Sequence, residues 1–318
     1  MPLSKHFSKS SLDARAKFLN ACAAANIPTT AFRCPATTPG GAGALPSLDE
    51  SWWIDVARLG SPDAERVLIL CCGFNGEEGY CGSGILVGWI AEARQRDLLR
   101  DVAVVLVHGV NPGQLTVLSA QLNDAIPAPA QTRGWTDKVL AAAERRFTEY
   151  ANTSQNEEDP SNKPDSTNIW VEKILDPIAE IIVMKAKYAA LIEFHTDLSP
   201  FGEVAIFSCH ESGSVGDTRV GEWFGADALT QPDGPATADV LLLNLAGRLS
   251  ALDLTSMVVE FGVYSTQLLL AIEPPKTTAD RRERYKQLFY PESPQWRNNV
   301  SKEAVSIIRR VIKGLDAL

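Results

Sequence analysis

Histidine is scarce in this chain: His6, His108, His195 and His210 are the full set. Two of the four close short apolar runs. Val102 to Val107 leads into His108-Gly109-Val110-Asn111-Pro112, and Leu191-Ile192-Glu193-Phe194 leads into His195-Thr196-Asp197. A third run, Val67 to Cys72, is followed by Gly73-Phe74-Asn75-Gly76-Glu77-Glu78-Gly79, and a fourth, Met257-Val258-Val259, carries Glu260 and Phe261-Gly262. An imidazole at the end of such a run can ligate a metal or act as a general base. It can equally be a core histidine bonded to a backbone carbonyl. A carboxylate inside an apolar strand, as at Glu260, is costly to bury unless it is paired or functional. Burial would raise its pKa and suit it to general-base work, whereas an ion pair with an arginine is the plainer outcome. Gly262 beside it lets another group approach closely. Glu78 stands between Gly76 and Gly79, whose conformational freedom lets a loop fold over a ligand; an acid favoured at a helix N-terminus is the other reading, for which Glu77 is the better candidate. His108 reads as a polar partner in the turn before Asn111-Pro112; together with Asn111 and Asp197 it is also carried forward as a candidate substrate contact.

These residues share a place only if the runs are parallel strands of one sheet. Val67 to Cys72, Val102 to Val107 and Ala189 to Phe194 are continuous apolar runs, the pattern of strands buried on both faces. Trp52 to Ala57, Val204 to Ser208 and Ser256 to Phe261 read as further strands. Helices are expected at Ser11 to Asn26 with Ser10 or Ser11 as cap, at Gly82 to Arg100, and at Thr136 to Tyr150. More follow at Ile169 to Lys187 with a kink at Pro177, Ala238 to Leu252, Thr278 to Leu288, and Ser301 to Lys313 with Gly314 as its stop. A Pro/Gly/Ala-rich loop is expected at Pro35 to Pro46 and a mobile polar loop at Ala151 to Ser166. Strand, loop, helix and strand in this order predict an α/β fold, with a mixed, mostly parallel sheet and helices on both faces, in a single domain over residues 1–318. In such a sheet the C-terminal strand ends form one edge, where ligand crevices open.

Composition narrows the function classes. Of 318 residues, 45% are hydrophobic and 22% charged, values that exclude a disordered chain. Thirty Lys and Arg against 39 Asp and Glu give a net charge of -9, which argues against a nucleic-acid partner. No apolar window approaches the length of about 18 residues that a membrane span needs, so no membrane partner is expected. No signal-peptide run opens the chain. The six cysteines show no zinc-knuckle spacing, and Cys71-Cys72 sits inside an apolar run, which favours a reducing, cytoplasmic setting.

The stretch Cys72-Gly73-Phe74-Asn75-Gly76-Glu77-Glu78-Gly79-Tyr80-Cys81-Gly82-Ser83 resembles the first metal motif of zinc carboxypeptidase-like proteins. It is closest in form to a bacterial and fungal branch long described as a domain of unknown function, which usually reads His-Gly-Val-Glu-Gly here. Val107-His108-Gly109-Val110-Asn111-Pro112 resembles that branch's second landmark, a strand ending in His-x-x-Asn-Pro. Phe194-His195-Thr196-Asp197-Leu198-Ser199-Pro200-Phe201-Gly202 resembles the segment that supplies its last metal ligand, and Val259-Glu260-Phe261-Gly262 the strand that holds its catalytic glutamate. Ala14 to Leu19 and Asp55 to Gly60 also fit. The resemblance implies a carboxypeptidase-like fold and a zinc ion, with Glu78 and His195 as metal ligands and Glu260 as general base.

Two departures qualify that implication. Asn75 stands where the branch has its first histidine ligand, and an amide oxygen is a far poorer zinc ligand than imidazole. The branch's Asn-Val-Asp-Leu-Asn-Arg-Asn run is absent between Ser119 and Pro129. Its arginine would grip a substrate carboxylate; Arg133, a few residues on, is the candidate replacement. The expected activity is a metal-dependent hydrolase, peptidase- or amidohydrolase-like, acting on a small-molecule or peptide substrate through a degenerate metal site. Cys72 or His108 could then stand in as a third protein ligand. The competing expectations are a catalytically inactive or metal-free relative that binds a small molecule or partner, and an enzyme using Glu260 and His195 as base and acid without metal.

Overall fold

A computed structural model of the chain describes residues 3–33, 53–72, 79–92, 101–109, 166–225, 229, 240–264 and 289–318. A short 3-10 helix (Leu3–His6) precedes α1 (Ser11–Ala24). Ser10 caps α1, its Oγ accepting from Asp13 N at 3.2 Å, and so satisfies one of the helix's unpaired first-turn N–H groups. Next come β1 (Thr29–Arg33), β2 (Trp53–Leu59), β3 (Arg66–Cys72), α2 (Gly79–Ala91) and β4 (Val102–His108). The chain continues through α3 (Ser166–Val183), β5 (Tyr188–Pro200), β6 (Val204–Ser208), α4 (Val215–Phe224), α5 (Val240–Arg248), β7 (Asp253–Tyr264) and α6 (Pro294–Asp316).

The seven strands form one sheet in the order β1-β2-β4-β3-β5-β7-β6. Its centre, β4-β3-β5-β7, is parallel throughout, and β1, β2 and β6 pair antiparallel at the flanks. Side chains alternate between the two faces of a strand. On one face Leu68, Leu70, Leu106, Ile192 and Val259 pack with α1, α2, α4 and α6; on the other Ile69, Val105, Leu191 and Val258 pack with α3 and α5. The fold class is therefore the mixed, mostly parallel α/β sheet expected from the sequence. Gly82 is what lets α2 lie so close to the sheet, since a Cβ there would sit 2.5 Å from Cys72 Cβ.

Several element limits differ from expectation. β1 and α4 were not anticipated: β1 is almost wholly exposed at the sheet edge, and α4 buries only Gly216, Val220 and Phe224. α6 begins at Pro294, with Ser293 as cap, and continues past Gly314 to Asp316. Gly314 is instead a contact glycine, its Cα lying where a Cβ would overlap the Trp223 indole. The expected helices 136–150 and 278–288 and the loop 35–46 lie outside the described residues, as do residues 73–78 of the expected turn and 151–165 of the expected polar loop; the last residues of those two, Gly79 and Ser166, open α2 and α3. Among the described residues no helix is long and apolar enough to cross a membrane, and Cys22, Cys71, Cys72, Cys81 and Cys209 are free thiols.

Candidate functional site

The parallel centre of the sheet brings the C-terminal ends of β3, β4, β5 and β7 to one edge. There His195 of β5 and Glu260 of β7 are register partners, as are Cys71 and Glu193 one step inward on β3 and β5. Neighbouring strands run about 4.8 Å apart, and in-register residues of a parallel pair project to the same side. Val258 and Leu191 face α3 and α5, so alternation puts Glu260, Glu193 and His195 on that face too. Two residues far apart in sequence are thus adjacent by virtue of strand register alone.

Glu193 and His195 are both buried, at 2% and 6% exposure, and Glu193 Oε2 lies 3.2 Å from His195 Nε2. The approach is within ion-pair range but off the direction of a hydrogen bond. Glu260 is half-buried at the same edge, with Ala205 of β6 as its register partner on the far side. Two thiols lie within electrostatic reach of Glu193, its register partner Cys71 and Cys209. Burial pushes the Cys71 thiol well up, and the nearby Glu193 charge pushes it further. Cys209 is raised to about 12, first by burial and then by the same carboxylate. Both thiols stay protonated at neutral pH and are poor nucleophiles. Glu193 stands beside the candidate residue His195 without having been singled out in the sequence. Its signal was present: it is a carboxylate within an apolar strand, two residues before His195 and therefore on the same face.

His108 goes elsewhere. It alternates with Val107 onto the face of α1 and α2, opposite to His195. Its Nε2 lies 2.9 Å from Ser83 Oγ, and its ring stacks on Phe18 with centroids 4.4 Å apart and planes at 13°. Burial, with the Arg15 charge as the second cause, lowers its pKa to about 3 and holds the ring neutral. At 1% exposure the His108 side chain is enclosed between two helices, on the face away from His195. Cys72 shares that face and is fully buried, so neither residue stands beside His195 as a substitute ligand. Behind His108, its register partner Asp55 takes a two-pronged bond from Arg15, at 2.8 and 3.0 Å.

Asp197 continues β5 and pairs with Gly262 of β7. Asn75, Glu78, Asn111 and Arg133 lie outside the described residues. Among the described residues no group of three or more His, Cys, Asp or Glu is placed to hold a metal ion. Of the implied zinc ligands, His195 is the one among the described residues, with the buried Glu193 carboxylate 3.2 Å from its Nε2.

The family model described as "Protein of unknown function (DUF2817)" matches residues 7–116 and 164–303, which include all four landmarks quoted from the sequence. No curated protein matches the chain. Among solved structures, the chain is similar to a glutaminyl cyclase from Fimbriiglobus ruber (TM-score 0.49, 11% identity, 97% of this chain and 91% of that one). It is similar to a glutaminyl cyclase from Macrostomum lignano (TM-score 0.45, 11% identity, 99% and 88%). It is also similar to a metallo-carboxypeptidase from Pseudomonas aeruginosa (TM-score 0.41, 15% identity, 96% and 71%).

Proposed function

The chain belongs to the DUF2817 family, and on that premise we propose that it is a metal-dependent hydrolase of amide or related bonds whose metal site is weakened by Asn75. The observation that carries the reading is the register pairing of His195 with Glu260 on one face, at the C-terminal edge of the parallel strands. Glu78 and His195 would hold the metal, with Asn75 as a weak third ligand. A zinc ion, when bound, supplies Lewis-acid polarisation of the scissile carbonyl. Glu260, half-buried one strand away from His195, accepts the proton of the attacking water and returns it to the leaving group. Asp197, Asn111 and Arg133 are the candidate contacts for a small-molecule or peptide substrate.

Elemental analysis of protein purified from zinc-replete medium tests this. Bound zinc that is lost in His195→Ala and Glu78→Ala, but kept in Glu260→Gln while hydrolysis fails, supports the proposal. Asn75→His replaces the amide by imidazole and should tighten zinc binding by well over 10-fold, since it restores a direct ligand. The Asn75 departure and the missing arginine segment favour one second reading, a non-catalytic relative that uses the same cleft to bind. Protein that holds no zinc, and gains none with Asn75→His, decides for that reading.

A further inference from the structure

We propose that His210 is an acid-released latch: its neutral ring extends the β6–β7 ladder by one rung, and a proton on Nε2 unfastens the loop between β6 and α4. β6 ends at Ser208, which pairs with Met257. The next step of that register sets Cys209 against Ser256, and the Cys209 N–H donates to Ser256 O at 3.0 Å. In a hydrogen-bonded antiparallel pair the two residues exchange both bonds. Here the return bond goes elsewhere: the Ser256 N–H donates to His210 Nε2 at 2.7 Å, and Ser256 Oγ lies 3.2 Å from the same nitrogen. A side chain thus stands where a strand carbonyl would. An amide N–H can only donate, so Nε2 must present its lone pair and the neutral ring carries its proton on Nδ1. Protonated, Nε2 points a donor at a donor. The Ser256 hydroxyl can rotate to accept from it, but the amide of this buried residue loses its acceptor.

α4 closes over the ring. A Cβ on Gly216 would sit 2.6 Å from the ring carbons Cγ, Cδ2 and Cε1, so the imidazole fills the space a side chain there would take. Burial, the largest cause, lowers the His210 pKa; Asp217 of α4 favours the proton and Arg219 of α4 opposes it. Glu211 follows on the loop itself, and Asp253 of β7 binds Arg219 through two bonds at 2.6 and 2.7 Å. That pair holds Asp253 below and Arg219 above their ordinary ranges, so it stays charged as His210 titrates. α4 therefore remains tied to β7 when the rung opens, and release is confined to residues 209–214. The open ring takes a proton more readily than the latched one, so the latch is fastened above about pH 6.5 and loosens as pH falls. The strand it secures is the one that pairs Ala205 with Glu260, and the latch operates whether or not the chain is a hydrolase.

Amide hydrogen exchange on the full chain, resolved at Ser256 and corrected for the intrinsic pH dependence of exchange, reads the latch. Ser256 protection should fall by up to about 8-fold from pH 7 to pH 5.5, the added weight of a protonated open ring whose pKa is about 6.5. His210→Gln sets an amide oxygen near the place of Nε2 and does not titrate. It should keep Ser256 protected at pH 7 and lose the pH dependence, whereas His210→Ala should lose protection at both pH values. Ring-nitrogen NMR shifts of His210 at pH 7 should show the proton on Nδ1. Wild-type protection that is flat between pH 7 and pH 5.5 overturns the inference. So does an equal fall in His210→Gln, which would assign the effect to another group, and so does a ring protonated on Nε2 at pH 7. Should His210→Ala not fold, the wild-type and His210→Gln profiles decide.

Discussion

Replacing Gly262 by Ala should damage both the stability and the site. Gly262 lies two residues beyond Glu260 and is pinned on both sides: its N–H donates to Glu203 O at 3.0 Å, and its carbonyl accepts from Trp296 Nε1 at 2.9 Å. The β5–β7 register shifts between Asp197 and Pro200, which brings the Ser199-Pro200 backbone over it. An added Cβ would overlap the Pro200 carbonyl oxygen and sit 2.7 Å from Ser199 Oγ and 2.9 Å from Ser199 O. Two of these three atoms are backbone and cannot rotate away, so the strands themselves must part. One overpacked methyl costs about 1–3 kcal/mol, and backbone obstruction puts this case near the upper end. With a urea m-value of about 3 kcal/mol/M, a loss of 2–3 kcal/mol moves the unfolding midpoint down by about 0.7–1 M. Gly247→Ala is the control: it is an exposed α5 position with nothing within 4 Å of the new methyl, and should gain about 0.5–1 kcal/mol from helix propensity. A Gly262→Ala midpoint within about 0.1 M of wild type would refute the claim that this glycine sets the spacing beside Glu260.

The ion pair behind His108 should respond asymmetrically. Asp55 is fully buried whereas Arg15 keeps 26% of its side-chain surface and stacks on Trp53 at 3.9 Å. Arg15→Leu strands a buried carboxylate and should cost about 3–5 kcal/mol; Asp55→Leu leaves a guanidinium that can reach water and should cost about 1–2 kcal/mol less. Denaturation midpoints showing the reverse order would contradict this assignment. His108 predicts a pH effect: its folded-state pKa is about 3 against an ordinary 6.5, so between those values the unfolded chain binds the extra proton. Its contribution is fully present above about pH 6.5 and is lost as pH falls, with a slope approaching 1.4 kcal/mol per pH unit. Unfolding of wild type and His108→Gln from pH 7 to 5 isolates it, and parallel pH curves would be the wrong result.

Elements buried on both faces were legible because their runs are uninterrupted: Val67 to Cys72, Val102 to Val107 and Ala189 to Phe194 each lie within an observed strand. Their common direction followed from the helices between them, and that direction placed His195 and Glu260 on one edge. The close approach expected at Gly262 is the Pro200 carbonyl. β1 was not legible, since an exposed edge strand needs no apolar alternation and its stability comes from pairing with β2. α4 was missed for a related reason, as its short buried stripe is too sparse to stand out. The pairing of His195 with Glu260, rather than with Ser256 or Val258, is a matter of register, which no local pattern in either strand specifies.

Face parity separates the two histidines that end apolar strands. His108 and His195 both close apolar strands, and both sit at the same sheet edge, yet they serve different layers. In β4 the residue before His108, Val107, packs toward α3 and α5, so His108 must turn toward α1 and α2. In β5 Leu191 packs toward α3 and α5, and counting by two reaches Glu193 and then His195. The same count on β7 runs from Val258 to Glu260. One face therefore gathers a carboxylate, an imidazole and a second carboxylate, while the other closes around a neutral histidine, a serine and a buried ion pair. A polar residue at a strand end is a candidate for chemistry only when its parity points it at the other candidates. By that criterion Glu193 joins His195 and Glu260, and His108 belongs to the packing that holds the end of β4 in place.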